Sequence, residues 1–236
     1  MNASSTKRAE RFAVPEAIDE KPLDSIILIL ERVYGIPELD PPSDPLDMLI
    51  GVILSQATTN TNSDRTYAAL KKRFPSWELA NRARQSTIAD TIRLGGLADQ
   101  KAKVIKDLLR QLKAEGGGLD LSFLHGMTAT DAAAYLSRFR GIGPKTAACT
   151  LLFACHHEIF PLDTHIFRVL RRVGLIPQKC SDRAAHEILT QIVPPGKFYS
   201  FHVNLIRLGR TICRPREPLC ERCPIVDYCD YGRAQW

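Results

Sequence analysis

Apolar residues along this chain recur at helical spacing, and no stretch sustains the every-other-residue alternation of a half-buried strand, so the pattern predicts a nearly all-α protein. Between Asp24 and Tyr34, Ile26, Ile27, Leu30 and Val33 fall on one stripe, and Gly35 offers a left-handed stop. Pro41-Pro42-Ser43 breaks the chain. Asp44 then reads as an N-cap with Pro45 at the first helical position, opening a helix that Leu46, Leu49, Ile50 and Ile53 make apolar enough to be central. Thr128 and Asp131 have capping-box spacing before a helix expected to reach the neighbourhood of Phe139, and Ser181 caps a helix closed by Pro194-Pro195. In the Lys101–Lys113 segment, Ile105, Leu108, Leu109 and Leu112 form an apolar face, while Lys101, Lys103, Lys106, Arg110 and Lys113 are expected on a solvated one.

A chain of 236 residues that is 44% hydrophobic can build one large domain or two modest ones around a real core. No run approaches the length needed to cross a bilayer. The polar stretch Met1–Val14 lacks the apolar centre of a secretory signal, so the expected location is intracellular, the cytoplasm or nucleoid in a bacterium, with no membrane partner. The formal charge of +6 suits a polyanionic partner without requiring one.

The most chemically specific stretch is Phe139-Arg140-Gly141-Ile142-Gly143-Pro144-Lys145-Thr146-Ala147, a G-x-G turn joining two predicted helices. Glycines there leave amide N–H groups unshielded, and the following helix N-terminus adds a positive dipole, so a phosphate can be held by backbone alone. A dinucleotide fingerprint would need a preceding strand and a third glycine, and neither is present. Helix–G-I-G–helix instead resembles a helix-hairpin-helix element, which grips a DNA backbone without reading bases. Lys145 sits in the first turn of a helix, where the dipole disfavours an ammonium; it reads either as an amine nucleophile or as a phosphate contact. Asp163, in Leu162-Asp163-Thr164-His165, reads as the N-cap of a helix running through Ile166, Phe167, Val169 and Leu170. A carboxylate fixed in that way can also accept a proton or face a developing cation. Arg168, Arg171 and Arg172 on the same helix read equally as phosphate contacts and as solvated charge.

Cys213, Cys220, Cys223 and Cys229 stand at C-x6-C-x2-C-x5-C spacing, which reads first as an iron–sulfur ligand set. A zinc knuckle and disulfides are the competing readings. Cys149 and Cys155 lie in an apolar run and read as core thiols, and Cys180 stands apart.

Taken in order, G-I-G-P-K-T-A at 141–147, L-D-T-H at 162–165 and the four-cysteine loop resemble the endonuclease III family of DNA glycosylases. The resemblance implies two α-helical lobes with DNA bound across the cleft between them: a six-helix barrel over 44–157 that contains the hairpin, a lobe made of 21–43 and 158–236 that carries a [4Fe–4S] cluster on the four cysteines, and a flexible tail over 1–20. It implies a monomer acting on double-stranded DNA that contains a damaged or mismatched base. In that scheme the base is extruded, Lys145 attacks the sugar and forms a Schiff base, β-elimination cuts the strand, and Asp163 assists. Gly141, Ile142, Gly143 and Thr146 would hold DNA, and Gln56 and Leu97 would fill or wedge the space the base leaves; as structural alternatives, Gln56 is a helix-end polar residue and Leu97 a core leucine. Thr59 and Ala98 replace the Asp and Tyr usual in the branch that removes oxidised pyrimidines. Oxidised pyrimidine is the first expectation; mismatched uracil or thymine, modified cytosine, and a non-catalytic DNA-binding protein are the alternatives.

Overall fold

The computed structural model describes residues 22–235. The tail expected over 1–20 lies outside the described residues. Among those described every regular element is helical, so the all-α expectation holds. In chain order these are α1 Leu23–Tyr34, α2 Pro45–Ser55, α3 Asn60–Arg73, α4 Trp77–Arg82, α5 Gln85–Thr91, α6 Ala98–Ala114, α7 Ala129–Leu136, α8 Pro144–Cys155, α9 Thr164–Val173, α10 Asp182–Ile192, α11 Phe198–Thr211 and α12 Asp230–Arg233. Short 3-10 turns over Arg93–Gly95, Ser122–Gly126, Cys220–Arg222 and Val226–Tyr228 lie between them. Among the described residues no helix is long and apolar enough to cross a membrane.

Several helix starts are set by side chains within three residues. Asp44 accepts from the Asp47 N–H at 2.8 Å, Thr128 from Asp131 at 3.1 Å and Ser181 from Ala184 at 3.2 Å, each satisfying a donor that a helix N-terminus leaves unpaired. The capped helix α7 ends at Leu136, short of Phe139, because the chain closes into tight turns in which Phe139 donates to the Leu136 carbonyl at 3.2 Å.

The chain divides into two compact units. Pro37–Pro161 holds α2 to α8. Its core is built around α2, whose Leu46, Leu49, Ile50, Ile53 and Leu54 are buried, and α8 and α3 pack against it. The other unit pairs the segment ending at Ile36 with everything from Leu162 onward, so α1 packs on α11, and α11 on α9. Gly209 permits the last contact: a Cβ there would lie 2.9 Å from the His165 Cβ.

Two expectations about charged and apolar faces are corrected. In α1 the buried residues are Ile26, Ile27, Leu30 and Glu31, while Val33 is exposed. Glu31 goes inside because Lys197 reaches it at 2.8 Å and Ser200 Oγ donates to it at 2.6 Å. In α6 Lys101 and Lys106 are buried rather than solvated. Lys101 lies four, seven and eleven residues before Ile105, Leu108 and Leu112, squarely on the apolar stripe, and its ammonium is paired with backbone carbonyls.

Candidate functional site

Within Pro37–Pro161, the turn between α7 and α8 is fastened from below by Phe139 and Ile142, both buried in the core. Gly141 has φ +90°, and a Cβ there would stand 2.6 Å from Val104 Cγ2, so this position requires glycine. Gly143 has φ −87°, which any residue adopts; a Cβ there meets nothing within 4 Å. The missing side chain at Gly143 thus leaves the N-terminus of α8 open to solvent. Ile142, expected at the DNA surface, spends its side chain on the core, and its N–H donates to the Phe139 carbonyl at 3.0 Å.

Lys145 follows Pro144 in the first turn of α8 and is exposed. Among the described residues no carboxylate forms an ion pair with it. Thr146, expected to contact DNA, is turned inward: it is 6% exposed, and its hydroxyl accepts from Gln56 Nε2 at 3.2 Å. Gln56 itself is exposed where the chain leaves α2, so this bond brings two of the expected residues together beside Lys145. Leu97 is 53% exposed with φ +49° and ψ +36°, which rules out the core-leucine alternative. A large apolar side chain held in water on left-handed backbone has a cost that packing does not repay.

In the other unit, Asp163 Oδ1 accepts from the Ile166 N–H at 2.7 Å, capping α9 as expected. The arginines of α9 are neither solvated nor free for phosphate. Arg168 donates to the carbonyls of Cys213 at 2.9 Å and Gly209 at 2.7 Å. Arg171 donates to the Cys180 carbonyl at 2.8 Å and lies over the Phe167 ring. Arg172 donates to Cys213 Sγ at 3.3 Å and to the carbonyls of Arg214 and Pro215, and it stacks on Tyr231. The local pattern held no signal for the bracing by Arg168 and Arg172, because their partners lie some forty residues further on.

All four cysteines of the loop line one pocket, with Arg172, Ile212, Pro218, Val226 and Tyr231 around them. Their sulfurs are close enough to feel one another: the Cys223 thiol is pushed up to about 11, by burial first and also by Cys229, Cys213 and Cys220. Cys229 is pushed up in the same way. Among the described residues no three or more of His, Cys, Asp and Glu take the geometry of a bound metal ion. The donor set nonetheless fits a thiolate-held centre. Four soft ligands free of disulfides converge on one pocket, and a guanidinium and the Gly232 N–H, at 3.3 Å from Cys229 Sγ, already point at sulfur.

The comparisons with known proteins bear on this arrangement directly. Residues 50–195 match the family model described as HhH-GPD superfamily base excision DNA repair protein. The chain belongs to that superfamily. A protein of Arabidopsis thaliana named as a candidate DNA glycosylase is 34% identical over 194 residues, covering 78% of this chain and 66% of its own length. Endonuclease III of Thermotoga maritima is 27% identical over 208 residues, 88% of this chain and 93% of that enzyme. Among solved structures, a non-covalent endonuclease III–DNA complex superposes with a TM-score of 0.77 at 22% identity, over 90% of this chain and 96% of that one. The HhH-GPD assignment covers the hairpin, Lys145 and Asp163, whereas the cysteine loop lies beyond the matched residues.

Proposed function

We propose that this protein is a base-excision DNA glycosylase with abasic-site lyase activity, working as an intracellular monomer on double-stranded DNA that carries a damaged base, with oxidised pyrimidine the favoured substrate. The observation that carries the reading is Lys145: an exposed amine with no ion-pair partner among the described residues, two residues past Gly143 in a glycine turn whose open backbone suits a phosphate. Membership of a base-excision repair superfamily supports the same reading.

In this reading the 141–143 turn holds the DNA backbone through the main-chain N–H groups of Gly141 and Gly143, with Ile142 anchoring it because its own N–H is spent on the Phe139 carbonyl at 3.0 Å, and Gln56 and Leu97 occupy the gap left by the extruded base. The Lys145 amine attacks C1′ of the sugar, and the C1′–N bond breaks as the base leaves with its electron pair. Asp163 has the role of accepting the amine proton and stabilising positive charge on the sugar. The C1′–O4′ bond then breaks, O4′ taking up a proton, and C1′ becomes a Schiff base that acidifies C2′–H; loss of that proton expels the 3′-phosphate and cuts the strand. Cys213, Cys220, Cys223 and Cys229 would hold a [4Fe–4S] cluster whose contribution is to order their loop. Arg168 and Arg172 brace that loop from α9.

A second reading, excision of mismatched thymine or uracil or of a modified cytosine, has its own support. Thr59 serves as N-cap of α3, accepting from the Asn62 N–H at 3.3 Å, where the oxidised-pyrimidine branch usually has Asp. A thymine-DNA glycosylase of Aeropyrum pernix is 29% identical over 210 residues. Borohydride trapping on duplexes with an abasic site, thymine glycol, mismatched uracil, mismatched thymine or 5-methylcytosine tests both. Trapping that vanishes in Lys145→Ala supports the Schiff-base route and ranks the substrates. Tight DNA binding without trapping would sink the lyase assignment and favour a monofunctional glycosylase or a non-catalytic DNA-binding protein.

A further inference from the structure

Two bends in Pro37–Pro161 hold strained backbone. Ala57, next to Gln56, has φ +50°, and Leu97 has φ +49° directly after Gly96 at +70°. A left-handed residue with a side chain is costly and persists only where its surroundings over-determine it. The two bends are neighbours, since a Cβ at Gly96 would lie 3.9 Å from the Ala57 carbonyl oxygen.

Lys101 joins them. Its ammonium donates to the Leu54 carbonyl at 2.8 Å and to the Gly95 carbonyl at 2.8 Å, and the residue is 2% exposed. Its backbone N–H donates to the Leu97 carbonyl at 2.9 Å, so Leu97 is held on both sides by one residue. Gly95 is hemmed in from the opposite direction, where a Cβ would stand 3.0 Å from Thr66 Oγ1. The Leu54 carbonyl belongs to the last turn of α2, whose acceptors a helix leaves unpaired. Burial disfavours the ammonium and lowers its pKa. An apolar residue would sit on this stripe more cheaply, but it could not join two carbonyls from separate bends.

We propose that Lys101 is a positioning residue for base extrusion: by tying the Leu54 and Gly95 carbonyls together it sets where Leu97, two residues beyond Gly95, stands relative to Gln56, two residues beyond Leu54. The inference rests on the glycosylase reading above, in which those two side chains fill the gap in the duplex.

The test is a double-mutant cycle on the full chain, Lys101→Met against Leu97→Ala, reading single-turnover base release and duplex affinity, with melting curves to confirm the fold. Lys101→Met is expected to slow release by about 100-fold, the scale of a displacement near 1 Å, while affinity for undamaged duplex changes less than about twofold. In the Leu97→Ala background the same change is expected to slow release by less than about threefold, because the side chain being positioned is gone. Equal slowing in both backgrounds would overturn the proposal and leave Lys101 a general support of the fold. If Leu97→Ala releases base at the wild-type rate, the proposal falls while the glycosylase assignment stands. If wild-type protein neither releases base nor traps on an abasic site, both fall. Should Lys101→Met melt below the assay temperature, Lys101→Arg, which keeps charged donors but shifts their reach, carries the same cycle with the same criteria.

Discussion

The glycine turn and the cysteine loop are both candidate ligand surfaces, and they are stabilised in opposite ways. The turn rests on buried Phe139 and Ile142, which belong to the same core as Ala147 and Leu151, so its shape is set by apolar packing and it presents main chain and an exposed Lys145 outward. Between Cys213 and Cys229 only Ile225 and Cys229 are buried, and the loop is secured by arginines of α9 donating to its carbonyls. A surface built on a core can lose its reactive groups without losing its shape. A loop with little core depends on what its thiols hold and on long side chains that brace it.

Five predictions sharpen or break that contrast. The largest effect is expected for Lys145→Ala: complete loss of the borohydride-trapped complex, with stability changed by no more than about 0.5 kcal/mol because the site is exposed. A melting curve alongside the trapping gel checks both halves. Next is Asp163→Asn. Asparagine caps a helix as well as aspartate, so α9 should persist by circular dichroism while base release slows by about 10²–10⁴-fold. Equal losses of helix and rate would reduce Asp163 to a cap.

In the proposed cluster reading, Cys220→Ser should remove the iron–sulfur absorbance and strip hydrogen-exchange protection from α12 and the loop, while α2 and α8 keep theirs. Matching loss in α8 would break the comparison. Gly141→Ala should destabilise Pro37–Pro161 by about 1–3 kcal/mol in urea melts, since the added Cβ meets Val104 on left-handed backbone. The smallest effect concerns Glu31. Burial raises its pKa, but the hydrogen bonds from Lys197 and Ser200 and the Lys197 charge outweigh that, and the net value is lowered. A depressed carboxylate pKa gives stability that is full above the unfolded pKa and is lost as pH falls through the folded one. Wild-type protein should therefore lose melting temperature on acidification through and below the ordinary carboxylate range, and Glu31→Gln should flatten that slope.

Much of the candidate site is legible in the sequence. The caps at Asp44, Thr128, Asp163 and Ser181, the helix-breaking glycine turn and the central apolar helix all follow from residues at most a few positions apart. The errors have a common origin. Charge alone places Lys101 and Lys106 in solvent, although Lys101 lies in the apolar row of Ile105, Leu108 and Leu112; burial wins because backbone carbonyls are available to pair the ammonium. Val33 and Glu31 exchanged sides for a related reason, Lys197 and Ser200 being ready to receive the carboxylate.

The sequence by itself determined the helical class, the helix starts, the need for glycine in the 141–143 turn and the set of thiols, because each is decided by short-range geometry or by residue chemistry. Tertiary structure decided which charges go inside, that Leu97 stands exposed on strained backbone, and that Arg168 and Arg172 serve the cysteine loop. Those outcomes depend on partners far away in the chain, such as Leu54, 47 residues from Lys101, and Cys213, 45 residues from Arg168. A buried charge is stable only where a folded backbone brings acceptors within hydrogen-bond reach, and no local pattern shows where that will be.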